Sequence, residues 1–316
     1  MNTILRSHPK VSIIILNWNG YLDTLECLSS LQKMDYFNYE VILVDNNSRG
    51  GEAEALKSEF GDYIKVIKND QNYGFSVGAN QAIDYAMRNL KPDYLLLLNN
   101  DTIVAQDFLN KIVGAMEADP MIGLAGAKIL YYEFPTYIQS VGCRMNFVRG
   151  LTILIDNKQI EHKQLIQVQD VDYVDTCLMV RAKLVETIGV LDESFYLYWE
   201  DVDYAMRVKH AGYRVVSVAD AKIWHKKGTP FKSIYKLFIE GSKLYQSPIA
   251  TYYQSRNRFK FIRKWGSRWQ YFCFLFFYFS FYMWLSITFY ALFYKDKRIL
   301  VEWFHGTRDG LKNEVL

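Results

Sequence analysis

Hydrophobic runs and amphipathic segments alternate along the first part of this 316-residue chain. Continuous apolar runs predict strands, because such runs suit the interior of a parallel sheet. These runs lie near Ile13, Ile42, Ile64 and Leu96. Segments with apolar residues at helical spacing predict helices over residues 22–31, 52–60, 75–88 and 108–116. Strands that alternate with helices are typical of βαβ units, so we expect an α/β fold with a mostly parallel, Rossmann-like sheet flanked by helices.

The middle of the chain is less regular than its first part. Apolar runs predict further strands over residues 151–155 and 173–180 and near residues 215–218. A helix after Trp199 is predicted to end at Gly212, since glycine commonly terminates helices. We expect this part of the chain to form the second wall of a cleft.

Two of the predicted strands are followed directly by acidic and amide side chains. The apolar run at residues 94–98 ends in Asn99, Asn100 and Asp101, and the run at residues 41–44 ends in Asp45. In open α/β sheets, ligands bind in the crevice beyond the carboxyl ends of the strands. Asp101 is therefore a candidate ligand for a metal or a phosphate. The alternative for Asp45 is that it caps the next turn together with its neighbours.

Three carboxylates, Glu200, Asp201 and Asp203, lie within four residues at the start of a predicted helix. Acidic side chains stabilise a helix N-terminus, which is one explanation for this cluster. Asp203 and Arg207 have the spacing of an ion pair on a helix. Asp201 points elsewhere than Asp203, because residues two apart do not share a helix face, and an ionised carboxylate in a cleft is a candidate general base. Glu200 and Asp203 are assigned supporting roles.

His225 stands between Trp224 and Lys226, after a predicted strand. A histidine in this setting is more often a surface or packing residue than a ligand. An aspartate oxygen together with an imidazole nitrogen nevertheless suits Mn²⁺ or Mg²⁺ and leaves positions for phosphate oxygens. We therefore predict that Asp101 and His225 hold a divalent cation, Mn or Mg.

From Val11 to His225 the order and spacing of these residues resemble the inverting nucleotide-sugar glycosyltransferases of family two, which have the A-type fold. The resemblance extends more faintly to Tyr253, Arg256 and Asn257. The Trp-Glu-Asp-Val-Asp cluster that begins at Trp199 is most similar to rhamnosyltransferase-like members. No GxGxxG fingerprint follows any predicted strand, which disfavours a dinucleotide-dependent oxidoreductase.

The resemblance implies roles for particular residues. A nucleotide-sugar donor would be bound by Asn17, Asn19, Asp45, Asn72, Gly74, Asn99, Asn100 and Asp101. Asp201 would be the catalytic base, and Asp101 and His225 would bind the metal. Supporting or acceptor-side positions would be Trp199, Glu200, Asp203 and Arg207. Two residues depart from the family pattern: Asn99 replaces the first aspartate of the metal-binding triplet, and Asp175 with Thr176 replaces small residues near the acceptor.

Composition excludes some alternatives. A formal net charge of +3 over 316 residues gives no indication of a nucleic-acid partner. The four cysteines are far apart and form no CxxC pair, which indicates neither a disulfide framework nor a structural zinc site and favours a reducing compartment. The apolar stretch Val11–Leu16 is too short for a signal-peptide core, so we expect the catalytic part to face the cytoplasm.

Residues 271–294 form a stretch of 24 residues without a charge, flanked on both sides by Lys and Arg. This length suffices to span a bilayer as a helix, and basic flanks suit anionic headgroups. Positive charge on both sides leaves the orientation of a span open, and the many tyrosines favour the interface. A spanning helix and an interfacial hairpin remain equal alternatives. We expect a catalytic domain at residues 1–230 and a C-terminal, membrane-associated helical region at residues 231–316.

Together these features predict an inverting, metal-dependent transferase that moves a sugar from a nucleotide donor to a lipid-linked or cell-surface glycan. Its partners would be the donor, the acceptor glycan and the membrane surface. A nucleotide-sugar-binding scaffold without transferase activity is an alternative, although the candidate base and metal ligands are all present. A sugar nucleotidyltransferase is disfavoured, because residues 17–20 form no glycine-rich, basic phosphate loop. The donor sugar, its base and the acceptor depend on pocket shape, which motif spacing does not define.

Overall fold

A computed structural model describes residues 8–161, 166–226, 247–294 and 296–312. Its strands are β1 Val11–Asn17, β2 Tyr39–Asp45, β3 Ile64–Lys68, β4 Tyr94–Asn99, β5 Thr102–Val104, β6 Ile122–Tyr131, β7 Ile138–Ser140, β8 Cys143–Asn146, β9 Leu151–Leu154, β10 Val168–Asp170, β11 Cys177–Arg181 and β12 Arg214–His225. Its helices are α1 Tyr21–Leu31, α2 Glu52–Phe60, α3 Gly74–Tyr85, α4 Phe108–Ala118, α5 Lys183–Ile188, α6 Glu200–His210, α7 Pro248–Trp265, α8 Arg268–Phe293 and α9 Arg298–Lys312.

The predicted α/β fold with a mostly parallel sheet is confirmed. The main sheet has the strand order β10-β12-β6-β11-β4-β1-β2-β3, with β5 paired to β12 and β7 paired to β6. Strands β4, β1, β2 and β3 are parallel, whereas β11 runs antiparallel to both of its neighbours. The carboxyl ends of β1, β2 and β4 therefore lie along one edge of the sheet, as the polar residues after these strands require.

Both faces of the sheet are covered, which explains why the central strands are continuously apolar. Ile13 and Ile15 of β1 are fully buried in the cluster that contains Leu28 of α1. Ile14, which points to the opposite face, is buried in the cluster that contains Ala82 of α3. Alternating β1 side chains thus enter two different cores, one on each side of the sheet.

The predicted strand at residues 173–180 is wrong in its first half, since β11 begins at Cys177. Thr176 has a φ of +63°, which is incompatible with a strand and turns the chain before β11. The strand predicted near residues 215–218 instead extends to His225, through an irregularity in its pairing between Val218 and Lys222. Polar residues at that irregularity interrupt the apolar run, which is why the predicted strand is too short.

Strand β6 was missed because small residues weaken its apolar pattern. Glycine is needed at two of its positions, where neighbouring side chains leave no room for a Cβ atom. A Cβ atom at Gly126 would lie 2.5 Å from the Cβ of Val174, and one at Gly123 would lie 2.6 Å from the Cβ of Tyr213. The composition of β6 therefore follows from close packing against the second wall.

The C-terminal helices pack against the catalytic part and against each other. Helix α9 lies close to α7, because a Cβ atom at Gly310 would lie only 2.8 Å from the carbonyl oxygen of Arg256. Phe274 of α8 is fully buried, with its ring centroid 5.0 Å from that of Phe259 in α7. Among the described residues, one helix, Arg268–Phe293, is long and apolar enough to cross a membrane. The predicted domain boundary at residue 230 lies outside the described residues.

Candidate active site

The first part of the site is a hydrogen-bonded cluster at the ends of β1 and β2. The buried Asn17 amide donates to the Asp45 carboxylate (2.8 Å), the Ser48 hydroxyl (3.0 Å) and the Glu52 carboxylate (2.9 Å). The Thr24 hydroxyl donates in turn to Asn17 Oδ1 (2.8 Å). Two of the predicted donor-site residues, Asn17 and Asp45, are therefore in direct contact. Glu52 and Ser48 belong to the same cluster, although no role in the site was predicted for them.

Asn19 lies on the exposed rim of this cluster and has a φ of +52°. Its backbone N–H donates to the Ser48 hydroxyl (2.9 Å), and its Oδ1 accepts from the backbone N–H of Arg49 (2.9 Å). Asparagine tolerates this left-handed conformation better than most residues. Asn19 thus joins the loop after β1 to the loop after β2.

The segment that contains Asn72 and Gly74 lies beside the end of β2, where the Gly74 carbonyl accepts from the Asn46 amide (2.9 Å), and it packs against Tyr196. Asn72 Oδ1 accepts from the N–H of Gly74 (2.9 Å), and the N–H of Phe75 donates to the carbonyl of Tyr196 (2.7 Å). Gly74 has a φ of +84°, and a Cβ atom there would lie 2.5 Å from the Tyr196 ring. Glycine is therefore required at position 74 by backbone geometry and by the neighbouring ring.

The residues after β4 connect the donor-side cluster to the candidate metal ligands. Asn99 ends β4 and is partly buried, and the amide of Asn100 donates to Thr24 Oγ1 (2.8 Å). Asp101 is 3% exposed and precedes β5, which pairs with the end of β12 so that Thr102 lies opposite His225. This pairing explains how two residues 124 positions apart in the sequence reach one another.

Asp101 and His225 meet as predicted, with 3.3 Å between Oδ2 of the carboxylate and Nε2 of the ring. Two atoms that bind one ion side by side, each at about 2.1 Å, lie about 3 Å apart, so these donors fit a shared divalent cation. Nδ1 of His225 lies 3.1 Å from the side-chain amide of Gln139 in β7, which orients the ring. No group of three or more His, Cys, Asp or Glu suited to a metal occurs among the described residues.

A strained turn leads into α6 and presents Glu200 and Asp201. Tyr196, Tyr198 and Trp199 have φ values of +59°, +65° and +74°, a conformation that side chains other than glycine rarely adopt. Trp199 is buried and its ring centroid lies 5.2 Å from that of Phe261 in α7, so it fills the core, whereas Tyr198 is 38% exposed.

Asn257 of α7 holds this turn through hydrogen bonds to its backbone carbonyls. Its fully buried amide donates to the carbonyls of Phe195 (2.7 Å), Leu197 (2.9 Å) and Tyr198 (2.8 Å). The two N–H groups of this side chain thus serve three carbonyls of the irregular backbone, and the carbonyl of Phe195 also accepts from the N–H of Leu197. The sequence contains no local signal for this contact, because Asn257 lies about 60 residues beyond the turn.

The carboxylates presented by the turn lie in an environment that disfavours negative charge. Burial raises the pKa of Asp201 to about 7, and the nearby charge of Asp175 raises it as well. Burial also raises the pKa of Glu200 well above its usual range and, to a smaller extent, the pKa of Asp175. Within the described part of the chain, Oε2 of Glu200 and Oδ1 of Asp175 are buried without a hydrogen-bond partner.

Asp203 has a different environment from Asp201. It is fully buried and accepts hydrogen bonds from Arg207 Nε (3.0 Å) and from Trp265 Nε1 (2.9 Å), and it pairs with Lys264 (2.7 Å). The ion pair predicted from the spacing of Asp203 and Arg207 is thus present. These contacts join α6 to α7 and leave Asp203 no role in the cleft.

Two arginines of α7, Arg256 and Arg258, follow Tyr253 and could in principle contact an acceptor phosphate. Arg256 instead donates to the carbonyl of Ser194 and lies over the Tyr253 ring at 4.8 Å. Arg258 lies over the ring of Tyr282 in α8 at 4.4 Å. Both guanidinium groups stabilise contacts among the turn, α7 and α8.

The sheet is mostly parallel, polar loops lie at its carboxyl edge, and Asp101 follows two residues after β4. These are the features of a glycosyltransferase with the A-type fold. The family model for glycosyl transferase family 2 matches residues 12–189. The chain therefore belongs to glycosyl transferase family 2, as its sequence pattern predicted.

Known proteins that this chain resembles agree with this assignment. The O-antigen biosynthesis protein RfbC of Myxococcus xanthus is 28% identical over 70% of this chain, which spans only 18% of that protein. The dTDP-rhamnosyl transferase RfbF of Shigella flexneri is 23% identical over 81% of each chain. Among solved structures, the mannosyltransferase PcManGT of Pyrobaculum calidifontis, in complex with GDP-Man and Mn²⁺, matches with a TM-score of 0.56 and 14% identity, covering 98% of this chain and 89% of that one.

Proposed function

We propose that this glycosyltransferase moves a sugar from a nucleoside-diphosphate donor to an acceptor hydroxyl in a single, inverting displacement. The observation that carries the proposal is the environment of Asp201, a carboxyl group with a pKa near 7 at the edge of the cleft. The carboxylate of a group with this pKa is an effective proton acceptor near neutral pH. The donor would lie between the Asn17–Asp45 cluster and the Asp101–His225 pair.

The proposed reaction needs charge stabilisation on one side and proton removal on the other. A nucleoside diphosphate leaves as a stable anion, so it needs no acid, unlike the leaving group of a glycoside hydrolase. A divalent cation held by Asp101 and His225 would neutralise the diphosphate when bound. Asp201 would take the proton of the attacking hydroxyl on the opposite face of the sugar.

A double displacement is less compatible with the neighbouring carboxylates. A covalent intermediate requires a second, ionised carboxylate that can reach the sugar carbon. Burial raises the pKa of Glu200 well above its usual range, which disfavours the ionised form that a nucleophile needs. Asp203 is fully buried and bonded to three other side chains. Asp201 is thus the one member of the cluster suited to act as a base.

The acceptor that we propose is a lipid-linked or cell-surface glycan, reached by a catalytic domain (residues 1–230) that faces the cytoplasm from the membrane surface. The apolar helix Arg268–Phe293, within a C-terminal region of residues 231–316, supports membrane association. The relative named O-antigen biosynthesis protein RfbC supports a glycan acceptor, and the relative named dTDP-rhamnosyl transferase makes dTDP-rhamnose the first donor to test.

The proposal is tested by assaying the detergent-purified protein with dTDP-, UDP- and GDP-sugars, in Mn²⁺ or in chelator. Release of the nucleoside diphosphate and the anomeric configuration of the product, read by NMR, report turnover and stereochemistry. We expect one donor class to turn over with inversion only when the metal is present. A retained anomeric configuration would refute the single displacement. Donor binding without transfer to any glycan acceptor would favour the scaffold function instead.

The role of Asp201 has its own test. We expect Asp201→Asn to lower the transfer rate by about 10²- to 10⁴-fold, the usual contribution of a general base, with donor binding preserved. A control with the same chemical change is Asp84→Asn, in which an exposed carboxylate on α3 loses its ion pair with Arg88 (2.8 Å). Equal activity of the two variants would remove Asp201 from the mechanism.

A further inference from the structure

Helix α8 has a continuous apolar face that no other described part of the chain covers. Nine of its large hydrophobic side chains are exposed, and seven of them are aromatic rings of Phe or Trp that lie along most of its length. They are Trp269, Phe272, Phe276, Phe279, Phe281, Trp284, Leu285, Phe289 and Leu292. Contiguous apolar surface of this extent on a folded protein indicates an interaction site.

The opposite face of α8 is attached to the protein from one end to the other. The Tyr278 hydroxyl lies 2.7 Å from the hydroxyl of Thr307 in α9, and Tyr282 lies under the guanidinium of Arg258. Further along, the ring centroid of Tyr290 lies 6.5 Å from that of Trp303. With Phe274 at its start, this attached stripe extends over the 17 residues from 274 to 290, or about 24 Å of helix.

This attachment is incompatible with a helix that crosses a bilayer alone. A span would bring the packed α7 and α9, with Arg258 and the hydroxyl of Thr307, into the hydrocarbon region, where polar groups are costly. A helix that is buried on one side and apolar on the other instead matches the geometry of a helix lying along the membrane interface.

The charges around α8 also fit an interface with anionic headgroups. Between residues 268 and 312, all cationic side chains lie outside the apolar stretch, at the start of α8 or after its end. Those that the structure describes are exposed: Arg268, Lys297, Arg298, Arg308 and Lys312. Basic residues near a membrane surface attract anionic lipids, and Trp rings prefer the headgroup level.

We propose that α8 lies in the plane of the membrane interface, with its nine exposed apolar side chains in the lipid and both of its ends on the side of the catalytic domain. This inference rests on the membrane association proposed above and adds its mode, which is docking along a surface. The partner of this face is an anionic lipid surface.

Vesicle flotation tests the face itself. The full-length protein is mixed with sealed phosphatidylcholine vesicles, with or without phosphatidylglycerol. We expect flotation that increases with phosphatidylglycerol and falls about tenfold or more in Phe272→Glu/Phe276→Glu. The matched control is Phe37→Glu/Met121→Glu, which alters two apolar side chains that are 85% and 51% exposed elsewhere on the surface and should float like wild type.

Cysteine labelling tests the orientation. In a Cys273→Ser background, Arg268→Cys and Lys297→Cys place one thiol near each end of α8. The protein is added to preformed sealed vesicles and treated from outside with a membrane-impermeant maleimide. We expect both positions to be labelled. Protection of one end and labelling of the other would establish a span and overturn the proposal.

Two further outcomes separate this inference from the proposed reaction. Absence of flotation, together with dimerisation that Phe272→Glu/Phe276→Glu abolishes, would assign the face to a second copy of the chain and overturn lipid docking. Transfer to a soluble acceptor, measured on the same preparations, does not require docking. Loss of transfer with normal flotation would therefore refute the proposed function and leave the orientation of α8 intact.

Discussion

Asn257 is the residue at which the positioning of the candidate base can be tested most directly. Its amide donates to three carbonyls of the turn that presents Asp201, and it contacts none of the groups in the cleft that were assigned to donor or metal. In Asn257→Ala the three carbonyls lose their donor. In Asn257→Asp the shape is kept, but an acceptor replaces the donor.

The magnitude follows from the strain in the turn. Each left-handed residue other than glycine costs about 1–2 kcal/mol, so Tyr196, Tyr198 and Trp199 together store about 3–6 kcal/mol. The two N–H groups of the Asn257 amide are shared among the three carbonyls, and at about 1 kcal/mol for each N–H they offset part of that strain. Without them the turn relaxes, and a displacement of the base by about 1 Å costs about 10²-fold in rate.

The assay is steady-state sugar transfer, with donor affinity and thermal unfolding measured on the same samples. We expect Asn257→Ala to lower kcat by about 10²-fold with donor affinity nearly unchanged, and Asn257→Asp to be at least as damaging. Ser255→Ala is the control, since this buried hydroxyl on the same helix bonds to Thr307 (2.8 Å) and not to the turn. A wild-type kcat in Asn257→Asp, or an equal loss of kcat in Ser255→Ala, would refute the role of Asn257 in holding the turn.

Four other predictions concern the same cleft. Because Asp201 must be ionised to accept a proton, kcat/KM should rise with pH through about 7; a flat profile would contradict the assignment. The raised pKa also means that the fold favours protonated Asp201, so its contribution to stability is present below about pH 4 and lost as the pH rises to about 7. Asp201→Asn should accordingly increase Tm more at pH 8 than at pH 5. His225→Ala should weaken activation by Mn²⁺. Gln139→Leu should lower the affinity for the metal by about 10- to 100-fold, measured by Mn²⁺ titration. Unchanged titrations would exclude this metal site. Gly74→Ala should lower the unfolding midpoint, because its Cβ atom would meet the Tyr196 ring 2.5 Å away; an unchanged midpoint would show that the turn adapts.

The parts of the fold that the sequence predicted are those in which local pattern and burial coincide. The apolar run of β4 followed by Asp101 predicts both the strand and the edge of the sheet at which it ends. The fold places Asp101 beside His225 as expected. The parts that were missed depend on distant contacts. Gln139 reaches His225 across 86 positions, and the bend at Thr176 follows from a backbone conformation that an apolar run does not reveal.

Tyr196 shows why the candidate base is best understood through contacts on both sides of its turn. On the donor side, its carbonyl accepts from Phe75 (2.7 Å) and its hydroxyl donates to the carbonyl of Asn72 (3.2 Å). On the side of the C-terminal helices, its ring stacks on Tyr253 of α7 at 4.5 Å. The turn that presents Asp201 is therefore held between the loop assigned to the donor and the helix that packs on α8. We therefore expect a change at the loop of Asn72 or at α7 to reach the candidate base through Tyr196 as well as through Asn257.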